Sequence, residues 1–325
     1  MKHNRKGRRS LKIGFIMDPM DRILLPWDTS ISIMLEARKR GHRIFYIEPH
    51  DMFYQEKSVY ANLREVMVSR KTGFQVLNRR LTDLKTLDII FNRKEPPFNV
   101  SYLYLTHLLE FLEPNVFVIN SPRGLRKANE KLYILKFGRW VPSSLVTNNA
   151  AQIERFQKRK KFDLILKPLD QKGGAGIKLL PFRLKRASQI LKEMTQNGKR
   201  WIIAQKFLKQ NLTKGDKRIL ILNGKTIGQF SRIPKRGEFR ANLSLGGKHV
   251  RASLTVQERS LIQALRPALI RDGLYFVGID VVDGKLIEIN VTSPAGIPEI
   301  NELEGKRPEA EVLDFLEARA LRRLR

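Results

Sequence analysis

Short apolar runs alternate with stretches of helical spacing through the first third of the chain. Residues 11–17 form an apolar run of strand type. Over residues 30–40, Ile33, Met34 and Ala37 fall on one helical face, Gly41 follows as a stop, and Asp28 or Thr29 can cap the start. Arg43–Ile47 reads as the next strand. Residues 87–91 and 115–119 read as two more, with a helix predicted over 101–112 between them. Strand–helix–strand order of this kind predicts a parallel sheet with crossover helices. Residues 11–121 are therefore expected to form an N-terminal α/β domain.

The pattern changes from Pro122 onward. A helix is predicted over 124–137, carrying Asn129, Glu130 and Lys131. Leu164–Pro168 reads as a strand entering a glycine-rich stretch, and 177–180 as a strand leaving it. A helix over 187–197, a strand over 201–206, and strands over 218–222 and 226–233 follow. Beyond them come a polar loop (234–249), a helix (256–272), a hairpin (278–290) and a terminal helix (309–324). No internal repeat is visible.

Composition narrows the possibilities. A chain of 325 residues with 42% hydrophobic content can bury two or three cores. The absence of cysteine excludes disulfides, zinc–thiolate sites and cysteine nucleophiles. The five histidines (His3, His42, His50, His107, His249) lack ligand spacing and read as structural or surface residues, with His249 in the polar loop the one candidate for a role. No apolar run approaches the roughly 20 residues of a membrane span. The basic start MKHNRKGRRS, expected to be a disordered leader over residues 1–10, could pass for the charged part of a signal peptide. Asp18 follows after only a few apolar residues and no small-residue cleavage site is present, so the expectation is a cytoplasmic protein. Sixty-two Lys and Arg against 32 Asp and Glu give a formal charge of +30. Such a surplus attracts nucleic acid, anionic membrane or anionic small molecules. The basic residues are spread along the chain and dense only at the two ends, with no zinc finger, aromatic RNP stretch or recognition helix. The charge reads first as a solvated cationic surface, with specific polyanion binding and attraction of phosphate-bearing substrates as the alternatives; neither membrane nor nucleic acid is an expected partner.

Two motifs carry chemistry. In LKPLDQKGGAGI (166–177), Lys167 ends a buried strand, and Gly173, Gly174 and Gly176 let backbone N–H groups approach phosphate oxygens. The segment matches neither the Walker A motif nor G-x-G-x-x-G, and an ordinary hairpin turn would read the same way. In GIDVVDGKLIEIN (278–290), Glu288 and Asn290 are two apart and share one face of a strand. Asp280 lies on the preceding strand, with Asp283-Gly284 as the turn. A strict two-residue turn pairs Val282 with Lys285 and sets Asp280 and Glu288 on opposite faces. If the two carboxylates share a metal, the loop must hold an odd number of residues or the hairpin must carry a bulge. A simple two-residue turn is therefore not expected. Oxygen-only ligands of this kind suit Mg²⁺ rather than a transition metal. The alternative is an exposed polar face on an antiparallel pair. Asn129, Glu130 and Lys131, with Asp216, Lys217 and Arg218, would complete a cation-lined site for a nucleotide and a transferring phosphoryl group.

The order of these motifs resembles that of the prokaryotic glutathione synthetases, members of the ATP-grasp superfamily, over residues 11–319. The matching segments are MDPM (17–20), NRKEPPF (92–98), LRKANEKL (125–132), LILKPLD (164–170), GDKRIL (215–220), FRANLSLGG (239–247) and GIDVVDGKLIEINVTSP (278–294). The resemblance implies an ATP-grasp fold of α/β (α+β) class. Its parts would be a parallel N-terminal domain, a small central lid unit (122–203) and a C-terminal antiparallel-sheet catalytic unit (204–325). It implies ATP-dependent joining of γ-glutamylcysteine and glycine through an acylphosphate, with release of ADP and phosphate. ATP and Mg²⁺ are the implied cofactors, two ions being expected and Mn²⁺ an alternative. By position, Lys131 and Lys167 would contact phosphates. Gln205, Lys206, Phe207 and Leu208 would hold adenine through their backbone, and Asp216 would reach the ribose. Asp280, Glu288 and Asn290 would hold the metal. Arg218 and Asn290 would stabilise charge at the acylphosphate, Arg232 would sit near the substrate carboxylate, and the loop 234–249 would act as a lid. A homo-oligomer, tetramer or dimer, is implied too.

The chain departs from that pattern at Gln171 and Lys172, where Gly and Met are usual, and at Ala241, where the lid usually has Gly. It departs again at Ala295 and Pro298, which replace a Thr and an Arg. An added lysine could strengthen phosphate binding, and a lost arginine could change peptide recognition. The alternatives are a paralogous ATP-grasp ligase using another acid or amine, and a degenerate domain serving as a binding module.

Overall fold

The computed structural model describes residues 9–23, 25–235, 238 and 247–323. The expectations for most of the basic leader, for Ala241 and for the middle of the polar loop lie outside the described residues.

The N-terminal region contains β1 (Lys12–Ile16), α1 (Thr29–Lys39), β2 (Arg43–Ile47), β3 (Met52–Gln55), β4 (Ser58–Ser69), β5 (Gly73–Asp83), β6 (Ile89–Asn92), α2 (Val100–Glu110), β7 (Phe117–Ile119) and α3 (Pro122–Lys127). Its sheet runs β3-β4-β2-β1-β6-β7, with β5 paired to β4. β1 is parallel to β2 and β6, and β6 to β7, the crossover arrangement that the spacing predicts. Asp28 caps α1, accepting the Ile31 N–H at 3.0 Å. The antiparallel extension β3–β5 was not anticipated. Its signal is the alternation in β4, where Val59, Ala61 and Leu63, then Val66 and Val68, are buried across a register shift between Glu65 and Val66.

The helix expected over 124–137 does not form as one piece. It ends with α3, because the Asn129 side chain accepts the backbone N–H groups of Lys131 and Leu132, both at 3.1 Å. That local turn competes with the helical ladder. Short 3-10 turns follow over Tyr133–Trp140, broken at Gly138, where φ is 40°. Glu130 and Lys131 thus sit on a turn rather than a helix.

A second sheet, order β10-β9-β11-β8, is antiparallel and built from β8 (Ser144–Thr147), β9 (Leu164–Pro168), β10 (Lys178–Leu180) and β11 (Ile202–Lys206). α4 (Ala150–Lys160) and α5 (Ala187–Met194) cover one face, where Ile153, Phe156, Leu191 and Met194 pack on Leu164, Leu166, Ile202 and Ala204. β8 and α4 were not anticipated.

The last region holds α6 (Asn211–Lys214), β12 (Asp216–Leu222), β13 (Lys225–Ile233), β14 (Lys248–Arg251), α7 (Val256–Arg271), β15 (Phe276–Val282), β16 (Lys285–Asn290), α8 (Ile297–Glu304) and α9 (Pro308–Arg323). Its antiparallel sheet runs β14-β13-β12-β15-β16. β14 occupies the end of what reads in the sequence as polar loop. α7 starts on a capping box between Thr255 and Glu258. Leu261, Leu265 and Leu269 of α7, with Tyr133 and Ile134, bury one face of this sheet. Leu220, Leu222 and Phe276 on the other face join the core of the N-terminal sheet. Buried Asn120 stitches the two regions together. Its amide donates to the carbonyls of Phe276 (2.7 Å) and Val291 (2.8 Å), and its oxygen accepts the Phe276 N–H (2.8 Å).

α3 docks closely enough that a Cβ on Gly124 would lie 2.1 Å from the Asp272 carbonyl. Asp272 cannot retreat, because Lys127 Nζ (2.6 Å) and the Tyr133 hydroxyl (2.7 Å) both hold its carboxylate. Gly124→Ala is expected to destabilise the fold by about 1–3 kcal/mol, the usual cost of forcing extra volume into a packed contact. A urea unfolding midpoint equal to that of the unmodified chain would contradict this packing.

Candidate active site

A cavity of about 630 Å³ opens between the four-stranded and the five-stranded sheets. Strand alternation decides which side chains reach it. Leu164 and Leu166 of β9 turn to the helices, while Ile165 and Lys167 line the cavity. From the other sheet come Asp216 and Arg218 of β12, Arg232 of β13, Asp280 of β15, and Glu288 and Asn290 of β16.

The hairpin β15–β16 satisfies the geometric demand in an unexpected way. The turn is a simple two-residue one, with Val282 paired to Lys285, contrary to expectation. Asp283 (φ 49°) and Gly284 (φ 68°) both have positive φ, as the tight turn with matching twist requires. The register then shifts between Asp280 and Val281, leaving Ile287 as the extra residue and setting Asp280 directly opposite Glu288. The bulge, one of the two routes considered, does the work. It also presents the Ile287 carbonyl to Lys167 Nζ at 3.4 Å.

Asp280 and Asp216 belong to one buried chain of charges. Arg218 lies opposite Asp280 across β12–β15, and its Nε and Nη2 donate to the two Asp280 oxygens at 2.6 and 3.1 Å. Arg232 lies opposite Asp216 across β12–β13 and donates to it at 2.6 and 2.8 Å. Its Nη2 is also 3.0 Å from Asp280. Burial alone would raise the Asp280 pKa, but the two guanidinium groups outweigh it and hold the carboxyl well below the usual range. Burial pushes Asp216 upward, against the pull of Arg232 and with the charge on Asp280 adding to the rise. Asn290 Nδ2 lies 3.4 Å from Asp280 Oδ2, so its oxygen is the atom left to act as a ligand.

Lys131 and Lys167 approach from the other side. Lys131 Nζ is 3.3 Å from Glu288 and donates to the Gln171 carbonyl at 2.7 Å, so it touches both the hairpin and the glycine-rich turn. Lys167 is buried, which pushes its amine pKa down. The turn itself has positive φ at Gly173 (62°), Gly174 (80°) and Gly176 (67°), the conformation that glycine permits. Gln205 is 1% exposed. Its amide donates to Ser144 Oγ at 3.0 Å, while its Oε1 has no partner among the described residues.

Most of the candidate residues named from the sequence line this one cavity: Lys131, Lys167, Gly173, Gly174, Gln205, Lys206, Phe207, Leu208, Asp216, Arg218, Arg232, Asp280, Glu288 and Asn290, with Glu130 beside them; Gly176, Asn129 and Lys217 do not, Lys217 donating instead to Glu258 at 2.6 and 2.8 Å. Gln171, Lys172 and Ala295 line it as well, and the Ala295 carbonyl accepts from Arg218 Nη1 at 3.0 Å. Pro298 stands in the first turn of α8. Sequence reasoning did not single out Glu95 and Pro96, which bring the N-terminal region into the wall, or Thr292, whose hydroxyl donates to Glu130 at 3.1 Å. Their only trace was membership of the segments NRKEPPF and INVTSP.

The model of the prokaryotic glutathione synthetase N-terminal domain matches residues 11–126, and that of the prokaryotic glutathione synthetase ATP-grasp domain matches residues 130–305. The chain belongs to the prokaryotic glutathione synthetase family. It is 39% identical over 320 residues to the glutathione synthetase of Buchnera aphidicola subsp. Schizaphis graminum, covering 96% of this chain and 98% of that one. It is 38% identical over 318 residues to that of Thermosynechococcus vestitus, covering 94% and 99%. Among solved structures, D-cycloserine synthetase DcsG superposes with a TM-score of 0.66 at 14% identity, over 94% of this chain and 99% of that one. The ATP-grasp ligase PsnB, complexed with a minimal precursor, Mg and ADP, superposes with a TM-score of 0.61 at 17% identity, over 95% and 98%. The fold is therefore that of the ATP-grasp enzymes, as the motif order implies.

Glu130 gives this family member a pH-dependent stability. Burial first, and then the charge on Glu288, push its carboxyl up to about 7. A carboxyl raised in the folded state favours folding fully below its unfolded pKa, and that contribution is lost as pH rises through the folded pKa. Without nucleotide or metal, stability is expected to fall by at most about 1.4 kcal/mol per pH unit between roughly pH 5 and pH 7 from this group. Glu130→Gln should flatten that slope in urea titrations. An unchanged slope would refute the assignment.

Proposed function

We propose that the cavity performs ATP-dependent ligation of γ-glutamylcysteine and glycine to glutathione through an acylphosphate, releasing ADP and phosphate. The observation that carries this reading is the opposition, in one cavity, of phosphate-seeking cations (Lys131, Lys167, Arg218) and an oxygen-donor set (Asp280, Glu288, Asn290). Negative charge builds on the transferring phosphoryl group and on the tetrahedral adduct, and fixed cations stabilise both without a protein nucleophile. In this reading the glycine-rich turn offers N–H groups to phosphate oxygens. Lys131, tied to that turn and to Glu288, places its charge between them. The unpartnered Gln205 Oε1 is an acceptor suited to an adenine amino group.

The residues present fit a divalent cation. Asp280 and Glu288 are cross-strand neighbours with Asn290 on the same strand, and all three offer hard oxygen ligands. Burial first, and then the charge on Glu288, raise the Glu130 carboxyl, so two carboxyls crowd this corner and a cation there would relieve them. Asp280, Glu288 and Asn290 would hold Mg²⁺, two ions in all, with Mn²⁺ as a substitute. The metal would neutralise phosphate charge. Arg218, anchored by Asp280, would face the acylphosphate, and Arg232 the substrate carboxylate. No helix of the described residues is long and apolar enough to cross a membrane. A cytoplasmic homo-oligomer acting on small molecules, not on nucleic acid, completes the reading.

Phosphate release from ATP should require γ-glutamylcysteine and glycine together. Release with other acid–amine pairs only would replace this reading with a paralogous ligase. Glu288→Gln should lower kcat by about 10²-fold, the scale of losing a metal-site or charge-stabilising group, with thermal stability preserved. Lys167→Ala should raise KM for ATP by about tenfold or more through loss of a charge-assisted phosphate contact. Near-normal kinetics in either variant would remove that residue from the site.

A further inference from the structure

Lys172 sits between Gln171 and Gly173 in the glycine-rich turn and lines the cavity. Its Nζ is 3.2 Å from Glu95 Oε2. Glu95 lies between β6 and α2, so this ion pair joins the N-terminal region to a turn of the four-stranded sheet across the cavity mouth. On the Glu95 side, Asp18 accepts the Glu95 backbone N–H at 2.9 Å and Lys94 Nζ at 2.6 Å. On the other side Lys172 is carried by a turn whose glycines have positive φ, and the adjacent Gln171 carbonyl is bound by Lys131. Lys172 therefore follows the residue whose carbonyl binds Lys131, the lysine 3.3 Å from Glu288, and it is half-exposed at 45%.

We infer that Lys172 exchanges partners: Glu95 holds it in the nucleotide-free enzyme, and the nucleotide polyphosphate takes it on binding. The inference rests on the proposed nucleotide site. An exposed Lys–Glu pair shifts an equilibrium by roughly five-fold at most, so it yields readily to a multiply charged phosphate beside two further lysines. Two consequences follow. Glu95 lowers ATP affinity by occupying Lys172. ATP binding also releases the Glu95 carboxylate into the wall that the N-terminal region contributes, where a cationic group of a second substrate can meet it. By linkage, a ligand cation that engages Glu95 tightens ATP in turn.

The test is ATP affinity by equilibrium dialysis, with Mg²⁺ present and without acid or amine substrate, for the parent enzyme, Glu95→Gln, Lys172→Met and the double variant. Both side chains are half-exposed, and thermal midpoints check that each variant folds. Glu95→Gln should tighten ATP by about three- to five-fold, and Lys172→Met should weaken it by about tenfold. In the Lys172→Met background, Glu95→Gln should change ATP affinity by less than about 1.5-fold, because the two residues act as one unit. AMP, which lacks the polyphosphate, should show none of these effects. Weaker or unchanged ATP binding in Glu95→Gln overturns the exchange. Equal tightening in both backgrounds also overturns it, since Glu95 would then act by simple repulsion. Failure of every form to bind ATP sinks the ligase reading itself, whereas ATP binding indifferent to both residues sinks only the exchange.

Discussion

Two guanidinium groups and two carboxylates, all buried, fix the floor of the cavity. Arg218–Asp280 and Asp216–Arg232 are direct cross-strand partners, and Arg232 links the two pairs. Taking four charges out of water is costly, and removing one partner of such a set typically costs about 3–5 kcal/mol because the remaining charge is left uncompensated. A hydrophobic floor would be cheaper. What the charged floor provides is position: two arginines whose planes are set by bidentate contacts cannot swing away when a charged substrate arrives. The three strands that carry the set, β12, β13 and β15, are the centre of the five-stranded sheet, so the rigidity of the sheet is transmitted to the cations.

The fourth strand had to be adjusted to this floor. A tight Asp283-Gly284 turn dictates one register, and a metal shared by Asp280 and Glu288, as proposed, would require another. The bulge at Ile287 reconciles them within three residues of the turn. From the sequence the demand could be stated, but not the answer. Turn type is a local property of Asp-Gly, whereas the bulge forms where its freed carbonyl finds a donor, and that donor, Lys167, comes from another sheet. The same division runs through the fold. Elements with strong local periodicity, such as α1, α7 and the parallel strands, were legible, because burial on one face writes itself into spacing. The helix expected over 124–137 was misread because Asn129 turns its side chain back on the chain. The site residues were legible as motifs. Glu95 and Thr292 were not, since only tertiary packing brings them to the wall.

The position of Lys131 shows how the three regions share one site. It lies on the turn that Asn129 creates, it binds the glycine-rich turn of the second sheet, and it pairs with Glu288 of the third. Had the helix continued, the lysine would stand on a helix face fixed by the periodicity of α3 rather than by the site. Loss of regular structure here serves placement, and the hydrophobic contacts of Tyr133 and Ile134 immediately after the turn hold it to the five-stranded sheet.

Charge balance gives a physical reason for a metal that does not depend on any resemblance. The chain carries +30 overall, yet among the described residues the ionisable ones lining the cavity are six Lys and Arg against five Asp and Glu. Arg218 and Arg232 are already matched by Asp216 and Asp280, so they add direction but little net attraction. Lys131 is shared with Glu288, and Lys172 with Glu95. Among the described residues the surplus therefore lies outside the cavity lining, where water and salt screen it over about 10 Å, and that lining alone is nearly neutral. A polyphosphate with several negative charges would enter a site that does not neutralise it, beside carboxylates that repel it. Divalent cations on the Asp280–Glu288 pair, as proposed, would change the sign of that corner of the cavity. On the proposed reading the metal held by those carboxylates would attract the nucleotide that they oppose in the bare protein, so acidic residues in so basic a chain would make nucleotide binding conditional on the metal.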